Sequence, residues 1–178
     1  MSPEDPEVVD ILERAMVARI ATRSRNGRPN INPLYFTRAG GHILLGTSDR
    51  TLAALNAKAC PNVTILFEVE RDPADERVLR VHGKAAVRTD DDLCRRYVRR
   101  VTSKYFVSFS GLAHTLAHAH LLNLMHRYHS SGWKGQQCVI DVVPESVELL
   151  TAPARRPLDP GGGGDPITAR GREPRETP

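Results

Sequence analysis

Cysteine is scarce in this sequence, and a long hydrophobic run is missing. The 178 residues include only three cysteines, at Cys60, Cys94 and Cys138. An odd number of widely spaced cysteines argues against both a disulfide framework and a CxxC metal site, so we expect three reduced thiols. No apolar run is long enough to span a bilayer, and the N-terminus is acidic where a secretory signal is basic. These absences favour a cytoplasmic protein without a membrane partner.

The C-terminal segment lacks both aromatic residues and apolar periodicity. Residues 151–178 contain four consecutive glycines, six prolines and five arginines. Such a segment cannot bury enough apolar surface to offset the entropy lost on ordering. Its basic residues are sparse and no aromatic separates them, which argues against a nucleic-acid partner. The sequence therefore predicts one folded domain over residues 1–150 and a disordered tail, rich in proline, glycine and arginine, over residues 151–178.

Strand patterns outnumber helix patterns in the folded part. Alternation of apolar and polar residues predicts strands at 17–24, 29–38, 42–47, 63–70, 78–89, 136–143 and 144–150, the last two being pieces separated by Pro144. Helical spacing predicts helices at 6–16, 50–59, 90–101 and 111–129, with Asp90 as a candidate N-cap. Asn26-Gly27 and Gly40-Gly41 supply turns. In sum the pattern predicts about six antiparallel strands and a few helices.

An antiparallel meander of this size has to close or pack on itself to hide its edge strands. The expected fold is therefore mainly β with α insertions, in the form of a small six-stranded antiparallel barrel. Five segments, in this order and at these spacings, resemble the pyridoxamine 5′-phosphate oxidase-like, FMN-binding split-barrel family. They are NGRPNINPLYF, LLGTSDRT, CPNVTILFE, VHGKAAV and GWKGQQCVIDVVPESVEL. The resemblance covers about residues 13–150 and implies a split β-barrel that binds a flavin.

Two groups of residues match the cofactor-binding segments of the similar proteins. The resemblance implies that Thr47, Ser48 and Arg50 form a phosphate-binding turn, where a strand ends and a helix begins. Thr51 stands where the family usually has a second basic residue, which leaves Lys58 as a substitute. The resemblance further implies a set of residues against the flavin ring: Asn30, Asn32, Pro33, Leu34, Tyr35 and Trp133. Read without the resemblance, the first five are ordinary barrel wall and Trp133 is a core residue.

The oxidase activity that names the family is not expected here. Family members that oxidise pyridoxamine phosphate hold its phosphate with a dedicated lysine and with an Arg-x-His pair after the tryptophan. Tyr35 stands in place of that lysine, and neither arginine nor histidine follows Trp133 in KGQQCVID. A buried anionic substrate without its cations costs several kcal/mol. We therefore expect a flavin-dependent oxidoreductase whose small-molecule substrate, electron donor and catalytic residues the sequence leaves open.

Two other cofactors are alternatives to FMN. A branch of the family uses the deazaflavin coenzyme F-420, which carries an acidic tail and suits a chain with a net charge of +4. Haem is the second, because five histidines fall close together at His114, His118, His120, His126 and His129. A helix with these histidines on the flanks of a buried leucine stripe explains the same residues, and no metal site is expected.

The size of the predicted barrel favours a homodimer. Its own side chains fill a six-stranded barrel, so a ring as large as a flavin has to lie on the outer wall. A two-fold partner would cover two such sites at once. The aromatic residues Tyr105, Phe106, Phe109 and Trp133 are predicted to supply apolar surface for that interface.

Overall fold

The computed structural model describes residues 1–72, 74–107 and 135–151. The helices are α1 (Pro6–Arg14), α2 (Leu52–Ala59) and α3 (Asp91–Thr102), and a π-helical turn (Ser103–Val107) follows α3. The strands are β1 (Ala18–Arg23), β2 (Pro29–Leu34), β3 (Phe36–Ala39), β4 (His42–Ser48), β5 (Asn62–Glu68), β6 (Arg77–Arg88) and β7 (Gln137–Thr151). The predicted helix at 111–129, the five clustered histidines, Phe109, Trp133 and the tail beyond Thr151 lie outside the described residues.

All seven strands belong to one antiparallel sheet in the order β2-β1-β5-β6-β7-β4-β3. Its two edge strands, β2 and β3, follow each other in the chain and are separated only by Tyr35. The stretch from Pro29 to Ala39 thus pairs with β1 through its first half and with β4 through its second half. This change of partner curls the sheet into a split barrel, so the predicted fold class is confirmed. The described residues form seven strands rather than six, because the predicted strand at 29–38 divides at Tyr35.

Two tyrosine hydroxyls donate hydrogen bonds to the backbone where β2 ends and β3 begins. The Tyr97 hydroxyl on α3 donates to the Tyr35 carbonyl at 3.0 Å, and the Tyr105 hydroxyl donates to the Phe36 carbonyl at 3.3 Å. The Tyr97 ring packs directly on Gly46 of β4, where a Cβ atom would overlap it. The absence of a side chain at Gly46 therefore lets α3 approach the sheet closely enough to reach Tyr35.

The C-terminal strand is continuous, which corrects the prediction of two pieces. β7 runs through Pro144 without a break, and its pairing with β6 shifts register between His82 and Gly83. The backbone of Gly83 approaches the Val143 carbonyl so closely that a Cβ atom would not fit. A local irregularity of this kind accommodates a proline, which cannot donate to the ladder, inside a central strand.

The core lies on the inner face of the curled sheet. Alternate residues of the strands point inward, and α1 and α2 add apolar side chains to the same cluster. Its largest fully buried members are Phe36, Phe67, Ile11, Ile20, Leu45, Ile65, Leu79 and Ile140. On the outer face, α3 packs over β4 and β7 through a second cluster of Leu44, Cys94, Tyr97 and Val139. The amphipathic patterns of the strands and of α1 agree with these two layers.

The start of α3 follows the predicted capping chemistry, and the start of α2 differs from the prediction. The Asp90 side chain accepts from the Leu93 N–H at 3.2 Å, as predicted for α3. α2 begins at Leu52 rather than at residue 50, because Thr51 has an extended backbone and caps the helix by accepting from Ala54 N–H at 3.3 Å. Within the described part of the chain, no helix is long and apolar enough to cross a membrane.

Candidate cofactor site

The predicted phosphate turn connects β4 to α2. Thr47 and Ser48 are both buried there. The Thr51 hydroxyl donates to the Ser48 carbonyl at 2.8 Å, so the Thr47 hydroxyl, 3.0 Å away, has to donate to Thr51. By contrast, Ser48 Oγ has only a long contact of 3.5 Å to Asp49 Oδ1 and another to the Arg50 N–H. Ser48 is therefore the free hydroxyl donor of the turn, while Thr47 maintains its shape.

The two predicted cations of the site are exposed. Neither Arg50 nor Lys58 pairs with a carboxylate of the described residues. Lys58 lies on α2, yet its charge acts on the Cys138 thiol, which is opposite Thr47 in the β4–β7 register. Burial raises the pKa of Cys138 to about 11, and the nearby Asp49 carboxylate adds to the increase while Lys58 opposes it.

Asp49 connects the turn to the residues that precede β7. Its N–H donates to the Gln136 carbonyl at 3.0 Å, and its Oδ1 accepts from the Gln136 N–H at 3.0 Å. Gly135 packs on the side chains of Ser48 and Asp49 with no room for a Cβ atom. Its φ of 141° also lies in the region that favours glycine. Trp133, the only tryptophan, lies outside the described residues.

The predicted ring-binding residues divide between the two faces of β2. Asn30, Asn32 and Leu34 point to the same side as Thr22, Ile20 and Ala18 of β1, which face the core. Pro33 points outward, and Tyr35, just beyond β2, is 48% exposed. β2 pairs with β1 on one side, and no strand of the described chain pairs with its other side. That unpaired edge can accommodate the two prolines of β2, since neither has an N–H to leave unsatisfied.

Two amide side chains on β2 have no hydrogen-bond partner. The Oδ1 atoms of Asn30 and Asn32 are both inaccessible to water and unpaired within the described residues. Burying an amide oxygen without a partner costs about 1–3 kcal/mol. Both asparagines lie on the edge strand β2, so a rotation of their carboxamides could bring the oxygens to a ligand placed along that edge. The described residues therefore fit a cofactor that presents hydrogen-bond donors there.

The structure brings β2 and the phosphate turn into one region. β2 contacts both β4 and α2. The Asn56 amide on α2 donates to Thr22 Oγ1 at 3.2 Å, and Thr22 is the register partner of Asn30. Nine of the ten predicted site residues therefore lie on neighbouring elements, and Trp133 is outside the described residues.

Sequence patterns did not predict that Tyr105 packs against Tyr35 or that Lys104 packs against Phe36. The Tyr35 ring meets the Tyr105 ring edge-on, with centroids 4.8 Å apart. Tyr105 is only 6% exposed, so the prediction that it offers interface surface is wrong: its own barrel buries it. Burial raises the pKa of Tyr97 to about 12, and burial also raises the pKa of Tyr105. Lys104 Nζ lies 3.6 Å from the centre of the Phe36 ring and donates to the Leu12 carbonyl at 2.8 Å.

Comparison with known proteins gives matches over most of the chain. A family model described as pyridoxamine 5′-phosphate oxidase matches residues 4–150. A solved structure of a conserved hypothetical protein from Mycobacterium tuberculosis is 16% identical with a TM-score of 0.62, and the match covers 90% of this chain and 93% of that one. An F-420 reductase is 19% identical with a TM-score of 0.55, covering 78% and 94% of the two chains. HutZ, the haem storage protein of Vibrio cholerae, is 18% identical with a TM-score of 0.56, covering 85% and 95%. At these identities the three structures show a shared fold.

Proposed function

Because the chain belongs to the pyridoxamine 5′-phosphate oxidase family, we propose that it is a cytoplasmic, flavin-dependent oxidoreductase that binds FMN at a homodimer interface. When bound, the flavin ring accepts two electrons from one small molecule and passes them to another. The residues of this chain bind the cofactor, orient it and exclude water from it.

The observation that carries the proposal is the pair of unpaired amide oxygens on β2. Asn30 and Asn32 lie on the edge strand of the sheet, and their amide oxygens are buried without a partner among the described residues. A flavin ring has one N–H between two carbonyl groups, and a carboxamide can pair with both kinds of group. The ring N–H could satisfy one of the two oxygens, and the ring carbonyl groups could accept from the carboxamide N–H groups, so Asn30 and Asn32 are proposed to orient it. Pro33, Leu34 and Tyr35 add apolar surface and backbone groups beside them.

The turn between β4 and α2 is proposed to hold the cofactor phosphate. Ser48 supplies a hydroxyl with no short hydrogen bond of its own, and Arg50 supplies a guanidinium free of carboxylate partners in the described chain. The backbone N–H groups at the start of α2 add a favourable partial charge. Lys58 is the second cation, and Thr47 keeps the turn in shape through Thr51.

The substrate is proposed to be a molecule other than pyridoxamine phosphate. The position at which the family places a phosphate-binding lysine is Tyr35, whose phenol side chain replaces the lysine cation. The partly buried cation Lys104 has its amine against Phe36 rather than at the edge of β2. A neutral or apolar substrate suits this surface better than a phosphate ester.

A deazaflavin coenzyme is the second candidate cofactor. α3 carries four exposed arginines, Arg95, Arg96, Arg99 and Arg100. Arg95 and Arg99 line a shallow depression together with Gln137, which pairs in register with Ser48. An acidic extension of a cofactor held at Ser48 would meet these cations. Haem is the third candidate, and its histidines lie outside the described residues.

The identity of the ligand decides among these candidates. We would purify the full chain, record its absorbance spectrum and determine the mass of any ligand released on denaturation. FMN should be found, and its absorbance should bleach when an electron donor is supplied. Titration with FMN, deazaflavin and haem would follow if the protein purifies without a ligand. Tight binding of haem alone would overturn the proposal, as would failure to bind any of the three.

Arg50→Ala tests the phosphate turn directly. Loss of a charge-assisted hydrogen bond should weaken FMN binding by about 1.5–3 kcal/mol. Lys84→Ala is the matched control, because Lys84 is an exposed cation paired with Glu145 at 3.1 Å on the β6–β7 ladder. Fluorescence titration should show weaker binding only for Arg50→Ala. Equal affinities of the two variants would remove Arg50 from the site.

A further inference from the structure

An acidic residue stands in the middle of the turn proposed to hold a phosphate. Asp49 lies between Ser48 and Arg50. A carboxylate at that position repels a bound phosphate, because like charges at a separation of a few ångströms oppose each other even near the protein surface. We therefore expect Asp49 to make a structural contact that offsets this repulsion.

The two hydrogen bonds between Asp49 and Gln136 give that reason. The Asp49 N–H donates to the Gln136 carbonyl, and the Gln136 N–H donates to Asp49 Oδ1, both at 3.0 Å. Gly135 packs on Ser48 and Asp49 in a conformation and a space that suit only glycine. A hydrogen bond from an N–H to a carboxylate is stronger than one to a neutral oxygen. The Asp49 side chain is thus occupied with the backbone that leads into β7.

We propose that Asp49 is a positioning residue with two effects. It holds residues 135 and 136 against the β4–α2 turn, and its negative charge limits the affinity of that turn for a phosphate-bearing cofactor. The first effect depends on the observed contacts alone. The second rests on the proposed function, since it requires a phosphate in the turn. Removing the charge while keeping the hydrogen-bond acceptor should therefore separate the two effects.

Two substitutions make this separation. Asp49→Asn keeps an Oδ1 that can accept from the Gln136 N–H but removes the charge, whereas Asp49→Ala removes both. Glu145→Gln is the charge-matched control, because Glu145 pairs with Lys84 and lies eight residues along β7 from Gln137. All three variants keep the buried core unchanged, so they should fold.

Amide hydrogen exchange of Gln136, measured by NMR without cofactor, tests the positioning effect. Loss of the carboxylate acceptor in Asp49→Ala should accelerate exchange of the Gln136 amide by about tenfold or more. Asp49→Asn should stay within about threefold of the unmodified protein, and Glu145→Gln should not differ from it. Unchanged exchange in Asp49→Ala would overturn the positioning role, whatever the protein binds.

Affinities for FMN and for riboflavin test the charge effect, because riboflavin lacks the phosphate. Asp49→Asn should tighten FMN binding about three- to tenfold at low salt and leave riboflavin binding unchanged. The gain should shrink as salt is added. Equal FMN affinity in Asp49→Asn and Glu145→Gln would overturn the charge effect. If the unmodified protein binds neither flavin, the proposed function fails, and Gln136 exchange still decides the positioning role.

Discussion

Lys104 is a partly buried cation held between an aromatic ring and the end of a helix. Its amine lies over Phe36 and donates to Leu12 O, one of the carbonyls that the last turn of α1 leaves free. Burial lowers the pKa of Lys104 to about 8, and the nearby Glu70 and Glu13 carboxylates counteract part of that decrease. The side chain thus stabilises the end of α1 at the cost of desolvating a charge.

The pKa of Lys104 predicts a pH-dependent stability. Between about pH 8 and pH 10.5 the unfolded chain binds more protons at this lysine than the folded protein does, so its contribution to the free energy of unfolding rises with pH. The rise should amount to roughly 2–3 kcal/mol. Urea unfolding from pH 7 to 10.5 should show it as a difference between the unmodified protein and Lys104→Met. Parallel pH profiles for the two proteins would contradict the prediction.

At the scale of elements, α3 determines where the strand from Pro29 to Ala39 changes partner. The Tyr97 hydroxyl reaches Tyr35 because the Tyr97 ring packs directly against Gly46, which has no side chain. The Tyr35 carbonyl also accepts from the Gly46 N–H at 3.3 Å, which extends the β3–β4 pairing by one residue. The position of α3 therefore influences the direction of β2, and with it the free edge on which the cofactor is proposed to lie.

Gly46→Ala should destabilise the protein by about 1–3 kcal/mol, because the added methyl group would overlap the Tyr97 ring. In a Tyr97→Ala background the ring is absent, so the same change should cost much less. Urea denaturation of the two single variants and the double variant completes this cycle. An equal cost of Gly46→Ala in both backgrounds would show that Tyr97 is not the residue it meets.

At the scale of the whole molecule, apolar side chains remain exposed near the candidate site. Ile31 is 64% exposed and Tyr35 48% exposed along β2, while Leu52 and Leu55 are 59% and 48% exposed on α2. β2 and α2 contact each other. A second copy of the chain is proposed to cover part of this exposed apolar surface together with the cofactor.

If the protein is a homodimer, its measured mass should be twice that of the chain, and a charge introduced at the interface should prevent dimer formation. Light scattering of the FMN-loaded protein should report about twice the chain mass of 19.7 kDa. Ile31→Glu should yield monomers with weakened FMN binding, because burying an unpaired charge in an interface is costly. Val98→Glu, which alters a 44% exposed residue on α3, is the control. A monomer that keeps one tightly bound flavin per chain would refute the dimer-interface site.

Local sequence determined the turns, the helix caps and most of the strands of this protein. Gly27 adopts a positive φ in the turn predicted from Asn26-Gly27, and Asp90 caps α3 as predicted. These features depend on a few consecutive residues, so a pattern can reveal them. The alternation along β2 also separates Asn30 and Asn32 from Pro33, but it does not tell which face meets the core. The resemblance predicts Thr47, Ser48 and Arg50 as a phosphate-binding turn, but it does not predict the hydrogen bond between Thr47 and Thr51.

Only the tertiary structure decided how the distant parts meet. Tyr97 and Tyr105 act on Tyr35 and Phe36 from 62 and 69 residues away, and their contacts divide a strand that the pattern predicts as continuous. Asp49 accepts a hydrogen bond from Gln136, 87 residues away in the sequence. Pairing with β6 keeps β7 continuous on both sides of Pro144. Such contacts depend on which surfaces the folded chain brings together. The two- or 3.6-residue spacing of apolar residues predicts strands and helices, but it does not predict which of them will be in contact.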